Sequence, residues 1–365
     1  MKKKIIITIL FAIVCFAANA AVPDSIKQKL ADFDTIVQVA EKDYAAFKFK
    51  VTNANRKEYE AFKKSLVKDI KKQRRTWQDA ICAYVGWFGD FHFGVYGNDG
   101  ITGNYYKYAR KRIDYHTLMD AYDPKMLSGK VDDNTYLIRF PSCNGTQELA
   151  EKFVLDYKNS GCPNLIIDIR GNSGGQDESF WPLLQLLYDN PDGARDGVIF
   201  RYTKGNVERQ GWTKEDLEDL GFPSDINNAP EYIVKNADGV PVTFDTISQY
   251  PKKAALIIDN MVASSGEQMV LNVRSASHRT KIYGHDNTMG CIDTGNCCIF
   301  ESAQKPLIIQ YSTTYSMRYE KGTTVDMTGI LPDIRITLPY PKHLTNNIDE
   351  WVLWVAEDLK TNKTN

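Results

Sequence analysis

A chain of 365 residues, 43% hydrophobic and 25% charged, has ordinary globular composition and room for one large domain or two modest ones. A formal net charge of −1 gives no electrostatic basis for binding nucleic acid or an anionic membrane surface. Seven cysteines are too few for a disulfide scaffold of this length, so an apolar core must carry stability.

The N-terminus reads as an address. Lys2, Lys3 and Lys4 precede an apolar run from Ile5 to Ala18, and Ala18-Asn19-Ala20 fits an A-x-A cleavage site. Residues 1–20 are therefore expected to be a signal peptide, with an exported, periplasmic or secreted mature chain. The run is too short for a membrane span, and no later stretch is apolar enough for one. Val14 is bulkier than the residue that lipoprotein processing prefers before a cysteine such as Cys15.

Residues 21–97 are expected to form a helical domain. Phe33, Ile36, Val37, Val39 and Ala40 recur at helical spacing, as do Tyr59, Phe62, Leu66 and Ile70. Glycines then end the helical pattern, and alternation of Phe91, Phe93 and Val95 predicts a strand with His92 on its other face. A histidine displayed at such a corner is either a catalytic base or a structural imidazole satisfied by a backbone group. Residues 98–134 are polar, Tyr-rich and unpatterned, a connecting segment.

The next domain, 135–343, has an α/β pattern. A strand at 135–140, an amphipathic helix at 146–160 stopped by Gly161, and the apolar run 165–169 predict a right-handed βαβ crossover in a mainly parallel sheet. Arg170-Gly171-Asn172-Ser173-Gly174-Gly175 follows the buried strand and precedes a helical segment at 177–187. Such a turn is an ordinary connection or a cradle of backbone N–H groups for an anion. An insertion at 189–250, rich in turns, is a rim or lid, or a plain elaboration.

A second buried strand, 254–259, leads through Ala263-Ser264-Ser265-Gly266-Glu267 into another helix. Ser264 and Glu267 fit the capping box S-x-x-E, which makes Ser264 an N-cap. The same placement suits a nucleophile, because a strand-to-helix turn exposes the hydroxyl at a helix N-terminus. Strands are expected at 281–284, within 299–311, at 313–318 and near 329–334, and an amphipathic helix at 349–359 in the terminal segment 344–365. Cys291 is spaced to reach Cys297 or Cys298 in a local disulfide. Zinc is disfavoured, since no paired C-x-x-C is present and His285 stands alone, and no metal or organic cofactor is expected.

Taken in order, these motifs resemble the S41 serine peptidases, the tail-specific or C-terminal-processing protease family. Asp90-Phe91-His92 is similar to the D-G-H motif, residues 167–175 to D-x-R-x-N-x-G-G, and 262–267 to the A-S-A-x-E nucleophile helix. Residues 284–290 resemble G-x-x-T-x-G with one insertion, and 329–333 resemble G-I-x-P-D. The resemblance implies a ClpP/crotonase-like core, Ser264 as nucleophile, and the amides of Gly174 and Ser265 as oxyanion donors. Most members place a lysine directly after the G-x-x-T-x-G turn. Here Cys291 stands there, and Lys281 falls earlier, inside a strand. The chain therefore looks like the tricorn-type branch, which implies His92 as base and Asp326 as the acidic residue behind it. No PDZ module fits between Tyr96 and Thr135. The implied activity is an exported serine endopeptidase acting on peptides or unfolded proteins. The alternative is a catalytically inactive relative that binds peptides or apolar ligands.

Overall fold

The structure, a computed structural model, describes residues 23–97, 100–101, 121–303, 307–344 and 348–361. The expected signal peptide, most of the segment 98–134 and the last four residues lie outside the described residues.

The apolar runs build a six-stranded sheet in the order Ile334–Arg335, Thr280–Gly284, Lys253–Ile258, Asn164–Asp168, Thr135–Arg139, Leu127–Lys130. All pairings are parallel except that of the last strand. Asn164–Asp168 and Thr135–Arg139 are buried throughout, which is why their centres, residues 165–167 and 136–138, are continuously apolar or aromatic rather than alternating. Leu165 and Ile167 join a core with the helices Gln147–Ser160, Trp181–Leu187 and Ser265–Ala276. Ile166, Ala255 and Ile257 face the opposite side, against Trp351, Val352 and Val355 of the terminal helix Glu350–Thr361. Gly161, at φ 72°, stops its helix where expected, and does so in the left-handed conformation open to glycine.

A second six-stranded sheet is antiparallel. Its central strand, Ile308–Ser316, pairs along one edge with Thr294–Glu301 and along the other with Gly94–Gly97 and Val198–Arg201. In the gap between those two, the Ala45 N–H donates to the Ser312 carbonyl at 3.0 Å. The N-terminal helices Asp24–Lys42, Arg56–Lys71 and Trp77–Gly86 share a core with this sheet through Phe93, Val95, Ile309 and Tyr311.

Two local expectations change. Residues 91–93 form a turn, and the strand starts only at Gly94, because the Asp90 carboxylate and carbonyl capture the N–H groups of His92 and Phe93. Residues 313–316 are not a separate strand but the end of Ile308–Ser316. The insertion 189–250 contributes the strands Val198–Arg201 and Tyr232–Lys235 to the second sheet. It is fastened to the N-terminal helices by Arg209 and Thr203, which both bond the Asp43 carboxylate.

Candidate active site

Three turns converge at the carboxyl end of the parallel sheet. The first leaves Asn164–Asp168. Asp168, 0% exposed, bonds the guanidiniums of Arg170 and Arg139, and both arginines reach Asp349 at the base of the terminal helix. Burial opposes ionisation of Asp168, but the two arginines outweigh it and hold the carboxyl below its ordinary value. Asn172 then organises the turn. Its Nδ2 donates to the Phe140 carbonyl, its Oδ1 accepts the Gly174 N–H at 2.9 Å, and its carbonyl accepts the Ala263 N–H at 2.9 Å.

That last bond draws the second turn against the first. Gly174, at φ 110°, lies so close that a Cβ there would stand 2.8 Å from the Ser264 Cβ. Ser264 itself has φ 51° and ψ −124°, a conformation that costs a non-glycine residue about 1–3 kcal/mol and is kept where surrounding bonds over-determine it. Its hydroxyl makes no cap bond. The capping box expected from Ser264 and Glu267 is therefore absent: the Glu267 carboxylate, 0% exposed, turns away to accept from Thr288 Oγ1 and the amides of Gly290, Cys291 and Ile292. Those bonds fix the third turn, where Cys291 Sγ accepts the Ser264 N–H at 3.3 Å.

His92 completes the group. Its Nε2 lies 3.2 Å from Ser264 Oγ, across 172 positions of sequence, and its Nδ1 lies 3.4 Å from Thr294 Oγ1. Phe91 packs with Ala263, Met289 and Cys291, joining the histidine corner to the serine turn. A cavity of about 420 Å³ opens over the pair and is lined mainly by polar groups, among them Gly175, Ser265, Asp196 and Arg318.

Several expected residues sit differently. The Gly174 N–H is engaged by Asn172, so the neighbouring Gly175, which lines the cavity, is the better-placed glycine of the turn. Ser265 opens its helix, where the first N–H groups have no intrahelical partner, and its hydroxyl donates to the Gly175 carbonyl at 2.8 Å. Asp326 does not reach the imidazole. Its carboxylate pairs with Lys50, while the ring nitrogens of His92 face Ser264 and Thr294. Behind Thr294 stands Asp90, 1% exposed, the first residue of the Asp90-Phe91-His92 corner, to which its place in the sequence alone assigns no role.

The six described cysteines are all free thiols. The local disulfide is not formed because Cys291 packs under Ser264, whereas Cys297 lies against the His92 carbonyl and Cys298 in the N-terminal core. Burial, then the Glu267 charge, push the Cys291 thiol well up, and burial pushes Cys297 up to about 12. Raised in this way, both thiols are poor nucleophiles. Lys281 is exposed on its strand, remote from this chemistry.

The sequence model of Peptidase family S41 matches residues 134–336. No curated protein matches the chain. Among solved structures, a putative peptidase from Parabacteroides merdae ATCC 43184 is similar, with a TM-score of 0.62 at 13% identity over 92% of this chain and 98% of that one. Mature CPAF is similar with a TM-score of 0.54 at 13% identity, over 86% of this chain and 93% of that one. CPAF complexed with lactacystin gives 0.56 at 13% identity, over 86% and 94%. At such identities these likenesses establish a shared fold.

Proposed function

The chain belongs to peptidase family S41 and is a serine-type peptidase, and from that premise we propose that it is an exported endopeptidase working through Ser264 and His92. Ser264 Oγ attacks a peptide carbonyl while its proton passes to His92 Nε2. The N–H groups of Ser265 and Gly175 hold the oxygen that becomes negative, helped by the N-terminal end of the helix Ser265–Ala276. Collapse returns the proton to the leaving amine and leaves an acyl group on Ser264, which water removes by the same proton route. Export rests on the basic N-terminus and the apolar run that follows it.

One observation carries the reading: the 3.2 Å contact between Oγ and Nε2, made by a serine held at positive φ. Helix caps need no such backbone. The test is cleavage of a quenched, unstructured peptide together with labelling by a fluorophosphonate. Both are expected in the wild-type chain, and Ser264→Ala should abolish both, with turnover falling by about 10⁴ or more. Cleavage that survives in Ser264→Ala overturns the assignment. A folded wild-type chain that neither cleaves nor labels would favour the reading as a binder of peptides or apolar ligands.

A further inference from the structure

A histidine that accepts a proton at Nε2 must keep its own proton on Nδ1, and some neighbour has to enforce that choice. Among the described residues the atom bonded to Nδ1 is not a carboxylate oxygen but Thr294 Oγ1, at 3.4 Å. A threonine hydroxyl has one proton and two lone pairs, so by itself it accepts either tautomer. What removes the ambiguity is Asp90. Thr294 Oγ1 donates to Asp90 Oδ1 at 2.9 Å. The same Oδ1 accepts the His92 N–H at 2.8 Å, and Oδ2 accepts the Tyr44 hydroxyl at 2.7 Å. These donors converge on a carboxyl group that is 1% exposed, an arrangement suited to an acceptor-only carboxylate.

With its single proton directed at Asp90, Thr294 presents only lone pairs to the imidazole. Nδ1 must then be the protonated nitrogen, and Nε2 is left bare towards Ser264. We infer that Thr294 and Asp90 are the positioning residues of this site: the carboxylate orients the hydroxyl, and the hydroxyl sets the tautomer of His92. The inference rests on the reading of Ser264 and His92 as the reacting pair. It also gives Asp90 a second task, since its bond to the His92 N–H forms the turn that presents the ring. Asp90 and Thr294 lie 204 positions apart in sequence, and Thr294 reaches the corner from the strand Thr294–Glu301.

Fluorophosphonate labelling of the full chain tests this without a known substrate. In that reaction the Ser264 Oγ–P bond forms, the P–F bond breaks, fluoride leaves, and the hydroxyl proton goes to His92 Nε2. Saturation kinetics separate the maximal rate from the half-saturating concentration. Thr294→Val keeps the shape of the side chain and removes the hydroxyl, so the maximal rate should fall about 10- to 100-fold with little change in half-saturation. Thr294→Ser restores the hydroxyl and should return the rate to within about threefold of wild type. A Thr294→Val chain labelled at the wild-type rate overturns the inference. So does a Thr294→Ser chain, folded by thermal melting, that is as slow as the valine variant. An unlabelled wild-type chain instead overturns the Ser264–His92 reading itself, and the inference with it.

Discussion

The serine half and the histidine half of the site are held in different ways. Ser264 and the glycine turn belong to the parallel-sheet layer, inside the stretch matched by the family model, and are fixed by bonds between neighbouring turns. His92 lies outside that stretch, on a corner between the N-terminal helices and the second sheet. Its supports come from far along the chain: Tyr44, Thr294 and Ser312 reach Asp90 from 46, 204 and 222 positions away. The difference teaches that a strained serine can be held by its own loop, whereas the imidazole beside it depends on two layers being assembled correctly.

Breaking the serine half should cost most. Arg170 is fully buried, bonds Asp168 and Asp349, and lies over the Trp351 ring at 5.1 Å. Arg170→Ala leaves buried carboxylates undercompensated and should lower unfolding free energy by about 3–5 kcal/mol, a large part of a typical domain's stability. Urea titration checks this. A loss below about 1 kcal/mol would mean that Arg139 alone suffices. Glu267→Gln comes next. All four of its partners are donors, so the new amide N–H₂ must face at least one of them, for an expected loss of about 2–3 kcal/mol in the same titration.

Gly174→Ala sharpens the comparison because it strikes the contact between the two serine-side turns. The added methyl meets Ser264 Cβ at 2.8 Å from a backbone at φ 110°. We expect a stability loss of about 1–3 kcal/mol, with fluorophosphonate labelling slowed more than the stability loss alone explains. Labelling at the wild-type rate would show that the turn can shift away from Ser264 without moving the amides.

Much of the serine half was legible in the sequence, and for a physical reason. A fully buried parallel strand must be a short apolar run, and the turn after it needs glycine where two backbones approach. Residues 165–175 and 254–267 display both. The fate of Glu267 was not legible, since S-x-x-E describes a capping box equally well, and only the third turn reveals where that carboxylate finds donors. The same limit separated Asp326 from Asp90. Motif order pointed to an acid near the G-I-x-P-D turn, but which carboxylate stands behind His92 depends on how the second sheet packs. Nothing local marks Thr294, which acts through a strand pairing that the sequence pattern split in the wrong place.

The smallest predicted effect tests the joint between the halves. Lys50 ends the short helix Phe47–Lys50 of the N-terminal region, and its partner Asp326 sits in the loop before the G-I-x-P-D turn. Burial pushes the Asp326 carboxyl up, Lys50 opposes this, and the Asp90 charge adds to it. An acid raised in the folded state keeps its proton to higher pH than in the unfolded chain, so its contribution to stability is fully present below about pH 4 and is lost as pH rises through the folded value. Lys50→Met removes the opposing charge and raises the carboxyl further. The variant should be less stable than wild type by about 1–2 kcal/mol at pH 8, less than for a pair that cannot neutralise itself, and the deficit should shrink towards pH 5. Urea titrations at the two pH values decide it. A deficit equal at both would assign the loss to packing of the lysine stem rather than to the charge of Asp326.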